Sequence, residues 1–104
     1  YDIALIQEPH FDFRGYTRAN RHWTVIYPPA HGPKQTVTRS IIFVNVRLTS
    51  GTWTEVPIPS LDVTAMEIHG NYGTIRIINF YNDCNHNDAL DAVRAYMRTP
   101  EAHR

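Results

Sequence analysis

Apolar residues fall in short blocks along the first eighty positions. Ile3, Ala4, Leu5 and Ile6 make a continuous apolar run, the pattern of a strand buried on both faces. Pro9 ends it, because proline supplies no N–H to a ladder. A second short strand is predicted at residues 23–27, stopped by Pro28 and Pro29. Residues 40–48, with Ile41, Ile42, Phe43, Val44 and Val46, read as a central strand. Turn chemistry at Thr49, Ser50 and Gly51 suggests that residues 53–58 pair back on it as a hairpin. Residues 61–69 and 74–81 flank Gly70-Asn71-Tyr72-Gly73 and form a second predicted hairpin. Residues 10–22 are a polar, Arg- and Asn-rich loop around Gly15, and the three prolines and one glycine of residues 28–35 imply irregular backbone.

After Tyr81 the period changes. Ala89, Leu90, Val93, Tyr96 and Met97 recur at helical spacing. Asn87 suits the N-cap, Asp88 and Asp91 the positive end of the helix dipole, and Arg94 and Arg98 the other end, with Pro100 as a stop. Neither an internal repeat nor a low-complexity segment interrupts this order. Several strands with hairpins among them, followed by a helix, suggest a mixed sheet with a helix packed on one face, an α/β arrangement.

Length and composition bound the picture without deciding it. The 104 residues suffice for one small domain with a thin stability margin. No apolar run approaches the roughly 20 residues of a membrane span, and the N-terminus lacks a basic-then-apolar signal pattern. The single cysteine, Cys84, cannot form an internal disulfide, which fits a reducing compartment. The chain enters a core strand within its first residues and stops just after a helix, so residues 1–104 are expected to be a partial domain truncated at both ends.

Net charge is zero, but its distribution is uneven. From Phe13 to Thr54 there is no acidic residue, while Arg14, Arg18, Arg21, Lys34, Arg39 and Arg47 fall inside that stretch. Such asymmetry suits a phosphate-facing surface, and equally a solvated loop with scattered arginines.

Few side chains carry candidate chemistry. Glu8 directly follows a predicted core strand, at the sheet rim where α/β sites are commonly built; position alone favours an ordinary surface carboxylate. Asn79 is polar within an apolar strand and reads as a satisfied core amide. The six histidines show neither H-x-x-x-H nor H-E-x-x-H spacing and have no cysteine pair beside them, which argues against zinc. Cys84 reads as a small apolar residue and not as a nucleophile.

Two segments resemble a known family. Ile6-Gln7-Glu8-Pro9-His10, preceded by Asp2-Ile3, is similar to the strand-end motif of the endonuclease/exonuclease/phosphatase superfamily, in which the Glu binds the catalytic divalent ion. Ile77-Ile78-Asn79-Phe80-Tyr81-Asn82 resembles the strand that ends in an active-site Tyr beside the scissile phosphate. The intervening strands run in the family's order. Gln-Glu-Pro-His and Asn-Phe-Tyr-Asn-Asp most resemble the endonuclease domains of non-LTR (LINE-type) retrotransposon polyproteins, which nick target DNA so that a reverse transcriptase in the same polyprotein can prime on the new 3′-hydroxyl. The resemblance covers nearly the whole chain. It does not reach the family's upstream Asn motif, its Gly-Asp-Phe-Asn motif or its final Asp-His pair. Asn82-Asp83-Cys84-Asn85 also departs from the Pro and Asn that often follow the Tyr.

The resemblance implies part of a four-layer α/β sandwich with mixed, largely antiparallel sheets and flanking helices. It implies Mg²⁺ or Mn²⁺ on Glu8, with Tyr81 donating a hydrogen bond to a non-bridging phosphate oxygen. His10, Asn82, Arg14, Arg18, Arg21, Lys34 and Arg39 are the expected substrate contacts, with DNA as partner and an intracellular, nuclear location. Without the missing motifs the piece by itself is expected not to cleave. The competing readings are a catalytically dead remnant or binding module, and a superfamily phosphatase acting on a small or lipid phosphoester.

Overall fold

The computed structural model describes residues 2–12, 14–17, 20–29, 31–32, 38–48, 50–82 and 88–103. Arg18, Lys34, Thr49, Cys84 and the expected N-cap Asn87 lie outside the described residues. Among the described residues, six strands form two three-stranded antiparallel sheets. The first contains β1 (Ile3–Gln7), β2 (Trp23–Ile26) and β3 (Ser40–Asn45) in the order β1-β3-β2. The second contains β4 (Trp53–Val56), β5 (Val63–Gly70) and β6 (Gly73–Phe80) in the order β4-β5-β6. An α-helix, α1 (Asp88–Met97), follows, and then a short 3-10 turn at Pro100–His103. The result is a mixed α/β unit that is mostly strand.

Strand alternation explains the layers. Successive side chains point to opposite faces, and residues paired across antiparallel strands share a face. Thr64, Met66 and Ile68 of β5, with Ile77 and Asn79 of β6, therefore face the first sheet. There Met66 packs with Ile26, Ile42 and Val44, and with the partly buried Ile3, Trp53, Ile68 and Ile77. Val63 and Ala65 point the other way, toward α1, where Ala89 and Tyr96 close a second core with Val56, Ile58 and Ala102. Each fully buried aliphatic side chain here contributes roughly 1.5–3 kcal/mol relative to exposure. Arg76 on β6 secures the C-terminal turn by donating to the carbonyls of Glu101 (2.6 Å) and Ala102. Among the described residues, no helix is long and apolar enough to cross a membrane.

Three expectations change. Residues 53–58 do not pair back on β3, because β3 already has a strand on each side and so has no free ladder edge. β4 crosses to the other sheet and pairs with β5, in the register Trp53↔Ile68 to Val56↔Ala65. β1 is not buried on both faces: none of its five residues is fully buried, and Leu5, on the face turned toward the second sheet, is 48% exposed because β1 lies at the sheet edge. In place of one mixed sheet there are two sheets, each wholly antiparallel. The β5–β6 hairpin is as expected: Gly70 pairs with Gly73 across the Asn71-Tyr72 turn, and Gly73 has a φ of 113° that non-glycine residues rarely adopt.

Candidate active site

Polar side chains stitch the two sheets together where β1, β3 and β6 meet. Asn79, 4% exposed, donates from Nδ2 to the carbonyls of Ile6 (3.0 Å) and Ile41 (2.9 Å), a cross-strand pair of β1 and β3. The Ser40 hydroxyl donates to the Asn79 carbonyl at 2.6 Å, and the Thr64 hydroxyl donates to the Ser40 carbonyl at 2.5 Å. Gln7 Nε2 donates to the Phe80 carbonyl at 2.9 Å. Asn79 is therefore the satisfied core amide that its apolar surroundings suggested. Together these bonds hold the C-terminal ends of β1 and β6 side by side.

Glu8 and Tyr81 are the next residues on those two strands. The Glu8 N–H donates to the Arg39 carbonyl at 2.9 Å, adding one rung beyond the β1–β3 ladder. Its φ is +52°, in the left-handed region, and it is the only non-glycine residue with positive φ among the described residues. That conformation costs a side-chain-bearing residue about 1–2 kcal/mol. Backbone strain of this sort clusters at functional sites. The Tyr81 N–H donates to the Asp62 carbonyl at 2.7 Å. Its hydroxyl donates to Glu8 Oε1 at 2.8 Å. The two residues singled out by motif resemblance thus stand in direct contact on an exposed rim.

Arg39 and Asp62 complete the cluster. Arg39 Nε and Nη2 donate to Asp62 Oδ1 (2.9 Å) and Oδ2 (2.8 Å), a two-pronged pair in which the Arg39 side chain is 30% exposed and that of Asp62 7%. The Arg39 guanidinium carbon lies 4.7 Å from the centre of the Tyr81 ring. Asp62 is the site-forming residue that the sequence reading missed. Nothing near it in the chain marks it, since its partner is 23 positions away.

The remaining candidates scatter. His10 and Asn82 are exposed, and each flanks the cluster by sequence. Arg14 is exposed in a turn built on Asp12, whose Oδ1 accepts from the Arg14 and Tyr16 N–H groups. The neighbouring Gly15 carbonyl bonds His31 Nε2 at 2.6 Å, and His31 Nδ1 bonds the Thr38 hydroxyl at 2.7 Å. His31 also stacks on Tyr27, with ring centres 4.4 Å apart. This bridge ties the Arg14 loop to the Glu8 end of β3. Arg21, another of the expected substrate contacts, lies beyond the end of β3 opposite Glu8. Trp23 pairs with Asn45, and the Val46 N–H donates to the His22 carbonyl at 2.9 Å. The length of β3 separates them, on the order of 17 Å at about 3.3 Å per residue. Arg39, expected to contact phosphate, has two donor nitrogens committed to Asp62.

The site offers one exposed carboxylate as a possible metal donor. Mg²⁺ and Mn²⁺ are held by one or two carboxylates and keep waters and substrate oxygens in the rest of the shell, and Glu8 is one exposed carboxylate of that kind. The site does not fit a closed protein cage: no group of three or more His, Cys, Asp or Glu side chains converges among the described residues. No family model, curated protein or solved structure matches the chain.

Proposed function

We propose that the chain is part of a divalent-metal-dependent phosphodiesterase of the endonuclease/exonuclease/phosphatase type, and more narrowly of a DNA-nicking endonuclease like those of non-LTR retrotransposon polyproteins. One observation carries the reading: the Tyr81 hydroxyl donates to Glu8 Oε1 at 2.8 Å. Two residues picked by separate motifs, on strands of different sheets, converge on one rim. Independent surface residues would meet in this way only by coincidence.

In this reading Glu8 holds Mg²⁺ or Mn²⁺, which supplies charge neutralisation at the phosphate and the leaving oxygen. The Tyr81 proton is offered to a non-bridging oxygen of the substrate. His10 and Asn82 border the phosphate, and Arg14 adds positive charge from the adjoining loop. The exposed rim and the acid-free segment favour a polyanion such as DNA over a small phosphoester. A reverse transcriptase in the same polyprotein and a nuclear location belong to the same proposal.

The finer architecture is also part of the proposal: the two sheets form the inner layers of a four-layer sandwich, with α1 in one outer layer. Strand alternation supports it. The face of the first sheet turned away from the second carries Ala4, Ile6, Trp23, Val25 and Phe43, an apolar surface of the kind a further helical layer covers.

Titration of the chain with Mn²⁺, followed by electron paramagnetic resonance, tests the metal role. One ion should bind, and Glu8→Gln should abolish binding with the circular dichroism spectrum unchanged. In a longer chain that nicks supercoiled plasmid with Mg²⁺, Glu8→Gln should stop nicking; retained nicking would refute the metal role. The 104-residue piece by itself should not cleave.

A further inference from the structure

We infer that Arg39 and Asp62 form a positioning pair that sets the Tyr81 ring against Glu8; the inference deepens the nuclease reading and rests on it for the chemistry served. Four separate segments meet here through their backbones. The Arg39 N–H donates to the Leu61 carbonyl (2.9 Å), the Tyr81 N–H to the Asp62 carbonyl (2.7 Å), and the Glu8 N–H to the Arg39 carbonyl (2.9 Å). Residue 39 is thus bonded directly to residue 8, and residue 62 directly to residue 81. The Arg39–Asp62 side-chain pair closes the loop between the two halves.

The side-chain geometry follows from that frame. Asp62 grips the fork of Arg39 through two nitrogens and so fixes the plane of the guanidinium. The guanidinium carbon lies over the Tyr81 ring, 4.7 Å from its centre, and limits the swing of a ring that is otherwise only partly buried. The ring then delivers its hydroxyl to Glu8 Oε1. An ion pair with one buried and one half-buried member is a weak source of stability, because desolvation offsets the attraction, and apolar residues of similar volume would serve packing as well. Its distinctive contribution here is direction. Lysine cannot replace arginine in it: an ammonium keeps the charge but has neither the fork nor the flat face. Arg39 therefore acts through Tyr81, in contrast to a phosphate contact of its own.

Nuclear magnetic resonance on the full chain decides the point. The readouts are the Overhauser contact between the Tyr81 ring and the Glu8 side chain, assigned with Tyr81→Phe, and Mn²⁺ affinity measured by paramagnetic broadening at Glu8. In Arg39→Lys the Tyr81–Glu8 contact should be lost and Mn²⁺ affinity should fall about tenfold, as for other groups that orient a metal ligand. The cross-strand contacts between Ile6 and Ile41 should stay as in the wild type. Arg39→Met combined with Asp62→Leu leaves no buried charge alone and should lose the same contact. A Tyr81–Glu8 contact that survives in both variants overturns the proposal. Loss of the Ile6–Ile41 contacts in both also overturns it, by making the pair a structural prop. If the wild type shows the Tyr81–Glu8 contact but binds no Mn²⁺ at Glu8, the nuclease reading falls, while the effect of Arg39→Lys on the contact still decides the pair.

Discussion

The Tyr81 hydroxyl donates a hydrogen bond to Glu8 Oε1 at 2.8 Å, across 73 positions of sequence. The contact exists because each residue immediately follows a strand, and because those strands lie in different sheets clamped by Asn79. The clamp, the strained backbone at Glu8, the core between the sheets and the charge around the rim can each be tested separately.

Asn79→Ala removes the two hydrogen bonds that its amide donates to the first sheet at a buried site, and the longer one it accepts from Gln7. Chemical denaturation should report a loss of about 1–3 kcal/mol. The Tyr81–Glu8 contact should weaken as well, since β6 is then less firmly held to β1. A loss smaller than about 0.5 kcal/mol would mean that the clamp is not what joins the sheets.

Glu8 has a φ of +52°, so glycine should be tolerated there better than alanine, the reverse of the usual preference in ordered structure. Glu8→Gly should be more stable than Glu8→Ala by about 1 kcal/mol. Both variants should lose Mn²⁺ binding alike. Equal stability of the two would remove the argument for strain at this position.

Met66 is fully buried between the sheets, whereas Leu5 is 48% exposed on an edge strand. Met66→Ala should cost about 2–5 kcal/mol. Leu5→Ala should cost less than about 1 kcal/mol, because little apolar area returns to water. Comparable losses at the two positions would show that Leu5 is buried and that this edge of the core is closed.

Arg14 sits on a loop tied to the Glu8 end of β3, and Arg21 lies beyond the other end. If DNA lies along the Glu8 rim, Arg14→Ala should flatten the slope of log affinity against log salt by about 0.9, and Arg21→Ala should leave it unchanged. Fluorescence anisotropy with duplex DNA over a range of salt concentrations measures both. Equal slopes for wild type and Arg14→Ala would remove the loop from the proposed interface.

Local pattern was enough to find the elements. Short apolar runs bounded by prolines and turn residues marked five of the strands within two residues, and Gly70 and Gly73 marked a tight hairpin. The spacing of Ala89, Val93 and Tyr96 marked the face of α1 that packs on the second sheet. Glu8 and Tyr81 were legible as candidates because each stands just past a strand end within a recognisable motif. Pairing was not legible, because which strand a ladder accepts depends on which of its edges are already taken. β3 is filled on both sides by β1 and β2, so β4 had to leave for β5 despite a turn sequence that suggested a hairpin. The same non-local logic hid Asp62. An acid becomes part of this site only when the fold brings a guanidinium from 23 positions away into its reach and lays it over Tyr81. Residue chemistry was written locally, and the distances between groups were set by how two sheets pack.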